Sequence, residues 1–155
     1  MRGKKAPKRK ITPDPKYSDP QVAKFINYLM RDGKKSVAQT VVYKALNQIE
    51  TKTKKNPIDT FELAIKNVGP NVEVKGRRIG GANYQIPIQV KSNRRFVLAS
   101  RWIIGAAKER KGKPMYVKLA DELLNASNKE GNAMKKRENV HKMADANRAF
   151  AHLAR

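Results

Sequence analysis

VEVKGRRIGGANYQIPIQV, residues 72 to 90, decides how the rest of the chain is read. Val72 and Val74 alternate with Glu73 and Lys75, and Tyr84, Ile86, Ile88 and Val90 alternate with Gln85, Pro87 and Gln89. A period of two sends successive side chains to opposite faces, so both runs read as strands. The intervening GGAN predicts a four-residue turn, with Gly80 and Gly81 supplying positive φ or a close backbone approach. Pro87 has no N–H to donate, so its nitrogen must face away from the paired strand. No third strand pattern stands on either side, and a lone pair of strands is marginal in water. The base of this ribbon must rest on helices, and its tip is expected to gain order against a partner.

Helical periodicity surrounds the ribbon. Asp19 and Pro20 open a first helix as cap and first residue; Val22, Phe25, Ile26, Leu29 and Met30 form its apolar face, and Gly33 predicts a left-handed stop. A second helix is expected from Ser36 to about Thr51, burying Val37, Val41, Val42, Ala45, Leu46 and Ile49. Asn56 and Pro57 start a third, with Ile58, Phe61, Ile65 and Val68 inward until VGPN breaks it. After the ribbon, Phe96, Ala99, Trp102, Ile103 and Ala106 predict a fourth helix beginning near Asn93. Tyr116 to Ser127 reads as a fifth, facing Leu119, Ala120, Leu123 and Leu124 inward. A sixth starts around Asn132 and runs past Asn147, with Val140, Met143, Ala144 and Ala151 on one side. The expected fold is mainly α: a single bundle of about six helices, with a two-stranded β-hairpin protruding between the third and fourth.

The chain has 155 residues, 35 Lys and Arg against 13 Asp and Glu, and a formal net charge of +22. Such an imbalance repels itself and calls for an anionic partner, for which nucleic acid is the leading class and an anionic membrane surface the weaker one. The absence of cysteine excludes disulfides, thiolate metal sites and cysteine nucleophiles. The most apolar run, FVLASRWIIGAA (96–107), is interrupted by Arg101 and is too short to span a bilayer. Residues 1–17 hold seven basic residues and prolines at 7, 13 and 15, and read as a basic, flexible amino-terminal extension. Residues 18–155, including hairpin 72–91, read as one helical binding domain.

Candidate contacts fall in five groups. Lys75, Arg77 and Arg78 crowd the ribbon, where Arg suits forked contact with phosphate and Lys supplies a less directional charge. Lys91, Arg94 and Arg95 stand at the start of the fourth helix, against the helix dipole; a phosphate there would meet both free N–H groups and guanidinium groups. Lys34 and Lys35 follow Gly33. Arg2, Lys4, Lys5, Lys8, Arg9 and Lys10 make an adaptable arm, and Lys135, Lys136 and Arg137 a patch on the last helix. Such contacts position a backbone more than they read bases. Trp102 is assigned to packing, and Tyr84 to packing on the alternating strand face or to stacking on an exposed base.

No catalytic constellation is present. His141 and Asp145 are one helical turn apart with Glu138 nearby, a pattern of ion pairing rather than of a metal site, and no cofactor is implied. RIGGAN is too short and wrongly placed for a phosphate or dinucleotide loop. Two binding readings stay open: a ribbon inserted into folded RNA, or an arm that bends duplex DNA. Charge alone does not choose between them.

FINYLMRDGKK at 25–35, NVEVKGRRIGGANYQIPIQV at 71–90, RRFVLASRW at 94–102 and LADELLNASNKEGNAMKKRENVHKMADANRAFAH at 119–152 together resemble the bacterial form of the seventh small-subunit ribosomal protein family. The resemblance implies a non-enzymatic, cytoplasmic structural constituent of the small ribosomal subunit and a primary binder of ribosomal RNA. It further implies binding to the 3′ major domain of that RNA, neighbouring small-subunit proteins as partners, and a ribbon near the exit-site transfer RNA and messenger RNA path. By motif, Lys34, Lys35, Lys75, Arg77, Arg78, Arg94 and Arg95 would lie close to RNA. Gly76, where the family more often carries a side chain, and Gln89, where it is often acidic, are local departures.

Overall fold

The computed structural model describes Gly3, Pro7 and residues 10–154. The chain divides into two compact units, Met1–Gln39 and Thr40–Arg155. In the first, Asp14 is buried and its carboxylate accepts from the backbone N–H groups of Lys16 and Tyr17, at 3.1 and 3.2 Å. Ser18, at φ +53, donates back to the Asp14 carbonyl and completes the turn that leads into α1, Pro20–Leu29. Asp19 caps that helix through a 2.6 Å bond from the Gln21 N–H, and Pro20 takes the first position, where a missing donor costs nothing. Val22, Phe25, Ile26 and Leu29 are buried. The helix ends four residues before Gly33, however: Met30 leaves helical geometry, and Gly33 with Asp32 forms a separate left-handed turn before α2, Lys35–Thr53.

Helix α2 buries Val42, Ala45, Leu46 and Ile49 as expected, but its buried face starts at Ala38 rather than Val37. Ala38 is buried whereas Val37 is 58% exposed, because Ala38, Val42, Ala45 or Leu46, and Ile49 share a stripe at spacings of three and four. Val37 sits about 100° off that stripe.

In the second unit, α3 (Pro57–Val68), α4 (Ser92–Glu109), α5 (Met115–Ser127) and α6 (Asn132–Ala146) pack on one another. Asn56 caps α3 through its Oδ1, which accepts from the Ile58 N–H at 3.1 Å. Phe61, Val68, Ile103, Leu119 and Leu123 are the largest fully buried aliphatic and aromatic side chains of these four helices. Several expected inward residues are only half-buried, among them Ile58, Phe96, Trp102 and Leu124. Alanines at 64, 99, 107, 120, 126 and 133 occupy the deepest positions instead, since close helix approach leaves room for little else.

Antiparallel strands β1 (Val72–Ile79) and β2 (Ala82–Gln89) form the ribbon, in the register Val72↔Gln89 to Ile79↔Ala82. The turn is shorter than the expected GGAN. Only Gly80 and Gly81, at φ +57 and +90, lie between paired residues, as a two-residue corner with both central φ positive requires. Ala82 and Asn83 belong to the strand, opposite Ile79 and Arg78. A 2.9 Å bond from the Val90 N–H to the Asn71 carbonyl extends the ladder toward the helices.

The last helix also departs from expectation. Asn147 ends α6, its side-chain amide donating to the Met143 carbonyl at 2.8 Å, and Arg148–Ala154 continues as a 3₁₀ helix, here η1. Met143 is 46% exposed and Ala151 is exposed, so the buried side of α6 is drawn by Ala133, Met134 and Ala144. Helix α6 begins on a buried charge. Glu122 of α5 has no exposed surface; one carboxylate oxygen accepts from the Ala133 N–H at 2.9 Å, and the other pairs with Arg110. Gly131, at φ +95, completes this cap, since a Cβ there would stand 2.8 Å from Glu122 Oε1. No described helix is long and apolar enough to cross a membrane.

Replacing Glu122 by Ala leaves the Arg110 guanidinium and the first turn of α6 without their carboxylate. The expected loss is about 3–5 kcal/mol in a urea-unfolding measurement. A loss below about 1 kcal/mol, the worth of an ordinary exposed pair, would refute the anchoring role given to this carboxylate.

Candidate nucleic-acid interface

Four elements of the second unit meet at the root of the ribbon: the end of α3, the start of β1, the first turn of α4 and the middle of α6. The chain leaves α3 through Gly69, Pro70 and Asn71. Arg95 packs its aliphatic stem on Gly69, where a Cβ would stand 2.6 Å from Arg95 Cγ and 2.9 Å from Cδ. Gly69 has an ordinary backbone conformation, so close approach is what requires glycine there. The Arg95 guanidinium donates through Nε to the Pro70 carbonyl at 3.2 Å and through Nη2 to the Asn71 side chain. Asn71 in turn donates its backbone N–H to His141 Nε2 at 3.3 Å. That bond needs an unprotonated Nε2, which the surroundings favour. Burial pushes the His141 pKa below its usual value, the charges of Arg137 and Arg95 add to this, and only Asp145 opposes it.

Glu73 is the acid of the ribbon, and it lies among cations. Its Oε2 accepts from Arg94 Nε and Nη2 at 3.2 and 3.1 Å, and its Oε1 is 3.4 Å from Lys75 Nζ. Helix α4 has no acidic residue in its first turn and no side-chain cap, so Glu73 brings the compensating negative charge from another element. The expected cluster of Lys91, Arg94 and Arg95 is therefore only partly free to meet a phosphate. Arg94 engages Glu73, Arg95 braces the α3–β1 corner, and Lys91 stands exposed just before the helix.

Directly opposed residues of an antiparallel pair share a face. Lys75, Arg77, Tyr84 and Ile86 thus lie on one side of the ribbon, and Arg78 with Asn83 on the other. Ile86 is buried, Tyr84 half-buried, and Arg77 donates through Nη1 to the Leu153 carbonyl at 3.0 Å. Arg77 and Arg78, adjacent in sequence, have different surroundings. Arg78, Gly80 and Gly81 are exposed at the tip. On α6, Lys135 and Lys136 are exposed while Arg137 is half-buried beside His141. Lys34 and Lys35 are exposed in the first unit, as is Lys10. Arg2, Lys4, Lys5, Lys8 and Arg9 lie outside the described residues.

Sequence reading passed over Asn71, Glu73 and His141 as members of the root. Glu73 reads as a solvent-face strand residue until Arg94 is brought to it, and His141 reads as a polar helix position. One signal was available: Glu73 is the single acid between Glu62 and Glu109, a stretch rich in Lys and Arg.

Comparison with known proteins follows the same elements. A family model described as ribosomal protein S7p/S5e matches residues 1–148. A small ribosomal subunit protein uS7 of Pseudothermotoga lettingae is 56% identical over 153 residues, covering 99% of this chain and 99% of that protein. Proteins of the same name are similar in Ralstonia pickettii, at 58% over 151 residues and 97% of each chain, and in Afipia carboxidovorans, at 56% over 147 residues, 95% of this chain and 94% of its own.

A histidine whose folded-state pKa is depressed favours the neutral form in the folded protein. Its contribution to stability is therefore complete above the unfolded value near 6.5 and is lost as pH falls through 6.5 toward the lower folded value. Urea unfolding from pH 8 to pH 5 should show the wild type losing stability relative to His141→Gln across that window. Parallel curves would contradict the assignment of a neutral, bond-accepting imidazole.

Proposed function

The chain belongs to the ribosomal protein S7p/S5e family, and from that premise we propose that it is a structural, non-catalytic component of the small ribosomal subunit that organises ribosomal RNA. The observation that carries this reading is the root of the ribbon. Arg95 and Arg137 lie there beside a neutral His141, Arg94 is held by Glu73, and Lys75, Arg77 and Arg78 continue the positive charge outward along a two-stranded arm. Fixed cations at the meeting point of four elements suit a ligand whose own charges are brought close by folding, as phosphates are where RNA helices converge. Lys34 and Lys35, Lys91, the exposed Lys135 and Lys136, and the amino-terminal Arg2, Lys4, Lys5, Lys8, Arg9 and Lys10 add further contacts. Residues 18–155 act as the RNA-binding domain, and residues 1–17 add a basic extension to it.

The finer assignment follows the family. The RNA is the 3′ major domain, the neighbours are other small-subunit proteins, and the tip lies near the exit-site transfer RNA and the messenger path in cytoplasmic ribosomes. Chemistry at the root agrees with a binding role. Its carboxylate is engaged with Arg94 and Lys75, and its imidazole with a backbone N–H, so neither is poised against a reacting atom. The mechanism is electrostatic neutralisation by side chains whose spacing the helices fix.

Footprinting on intact small-subunit RNA, beside RNA lacking the 3′ domain, tests the placement; protection that survives removal of that domain would overturn it. If six to ten phosphates are engaged, affinity should fall about 10³–10⁵-fold between 50 and 200 mM salt. Arg77→Ala combined with Arg78→Ala should retain the helical circular-dichroism spectrum and reduce the slope of log affinity against log salt by about 1–2. An unchanged slope and footprint would remove both arginines from the interface.

A further inference from the structure

The carboxy-terminal segment, expected as a continuation of the sixth helix, lies against the ribbon. Its ADANRAFAHLAR sequence favours an α-helix intrinsically, since alanine is the best helix former. Yet Arg148–Ala154 forms seven residues of 3₁₀ helix, longer than the three or four usual for that poorer geometry. A local preference overridden over two turns indicates that docking sets the conformation. The dock is β2. The rings of Tyr84 and Phe150 are tilted at 58° with centroids 5.3 Å apart, within the favourable range for aromatic pairs. Across the ladder, the cross-strand partner of Tyr84 is Arg77, and Arg77 reaches the Leu153 carbonyl. One segment therefore holds both members of one cross-strand pair. Asn147 turns the chain toward this dock: its backbone N–H and side-chain amide both donate to the Met143 carbonyl and close α6.

We propose that Arg148–Ala154 is a brace that fixes the aim of the ribbon before RNA arrives, with Phe150 as its positioning residue. The inference rests on the RNA-binding reading above and adds how the ribbon is held for it. A two-stranded ribbon without a third layer is marginal, and ordering it at the moment of binding would subtract from affinity. Beyond the Tyr84–Phe150 contact, residues 78–83 are exposed save for their own ladder, so the brace divides a held half from a free tip. The two contacts differ in how they respond to RNA. The Arg77 bond to a neutral carbonyl is the weaker kind, and a phosphate offers a charge-assisted, forked alternative. RNA can draw the guanidinium away from Leu153 while the aromatic pair continues to support the strand.

Phe150→Ala alters no charge, so it separates aim from electrostatics. In the free protein, amide hydrogen exchange at residues 84–86 and 88 should accelerate in Phe150→Ala and return toward wild type in Phe150→Tyr, which keeps the ring. Affinity for small-subunit RNA should fall about 3- to 10-fold with an unchanged salt slope, the range expected from loss of one aromatic pair. Arg77→Ala, by contrast, should change the slope. Wild-type protection of the ribbon in Phe150→Ala would overturn the brace, and so would faster exchange with undiminished affinity. Wild-type protein that ignored the RNA would instead strike the RNA-binding reading and the affinity half of this proposal, while the exchange result still judged the contact itself.

Discussion

Thirteen carboxylates must stabilise a chain that carries 35 Lys and Arg. That shortage of negative charge is the constraint on which the architecture depends, and three of the acids sit where each meets more than one partner. Glu73 separates Arg94 from Lys75, Asp121 lies 2.7 Å from Lys52 and 3.8 Å from Lys113, and Glu122 is enclosed between Arg110 and the start of α6. The three differ in consequence. Pairs at Asp121 are exposed and screened by salt, worth a fraction of a kcal/mol to about 1 kcal/mol each. Glu122 is sealed from solvent and cannot be removed without stranding its partners. Glu73 lies between these extremes, at the junction where the ribbon leaves the helices.

That junction couples two elements through their charges. Helix α4 opens with Arg94 and Arg95, the sign its dipole disfavours, and has no cap of its own. The ribbon delivers Glu73 to Arg94, while the corner before the ribbon delivers a carbonyl and an amide to Arg95. The ribbon is thus oriented by what the helix lacks. His141 adds a bond from the far side, through the backbone of Asn71 rather than through a side chain. The cations are held in place before any anion arrives, and little side-chain entropy remains to be lost on binding.

Much of this was legible in the sequence where the signal is local. Alternation in Tyr84, Ile86 and Ile88 marks a strand, and Asp19-Pro20 and Asn56-Pro57 mark helix starts, because capping and pleating act over two to four residues. The failures share a different cause. Ala82 and Asn83 look like turn residues, but a two-glycine corner already reverses the chain and draws them into the ladder. Val37 is more apolar than Ala38, but the angular position of the stripe, not hydrophobicity alone, chooses the buried face. Glu122 carries no sequence mark of burial, since its partners lie 11 and 12 residues away on other elements. The 3₁₀ end was read as helix because alanine favours helix and only the ribbon overrides it. At the candidate interface, clusters of Lys and Arg were visible, whereas their division into bound and free members required Glu73, Asn71 and Leu153 in space.

The two-glycine corner also limits how the ribbon can change its reach. Both corner positions hold left-handed backbone, so a longer arm has to come from inserted strand residues rather than from a larger loop. Adding one residue to each strand would turn the corner over and send the outward cation inward. Adding two to each would restore the original facing about 7 Å farther out. Length in this arm is therefore quantised in steps of two residues per strand, and intermediate steps exchange the roles of its two faces.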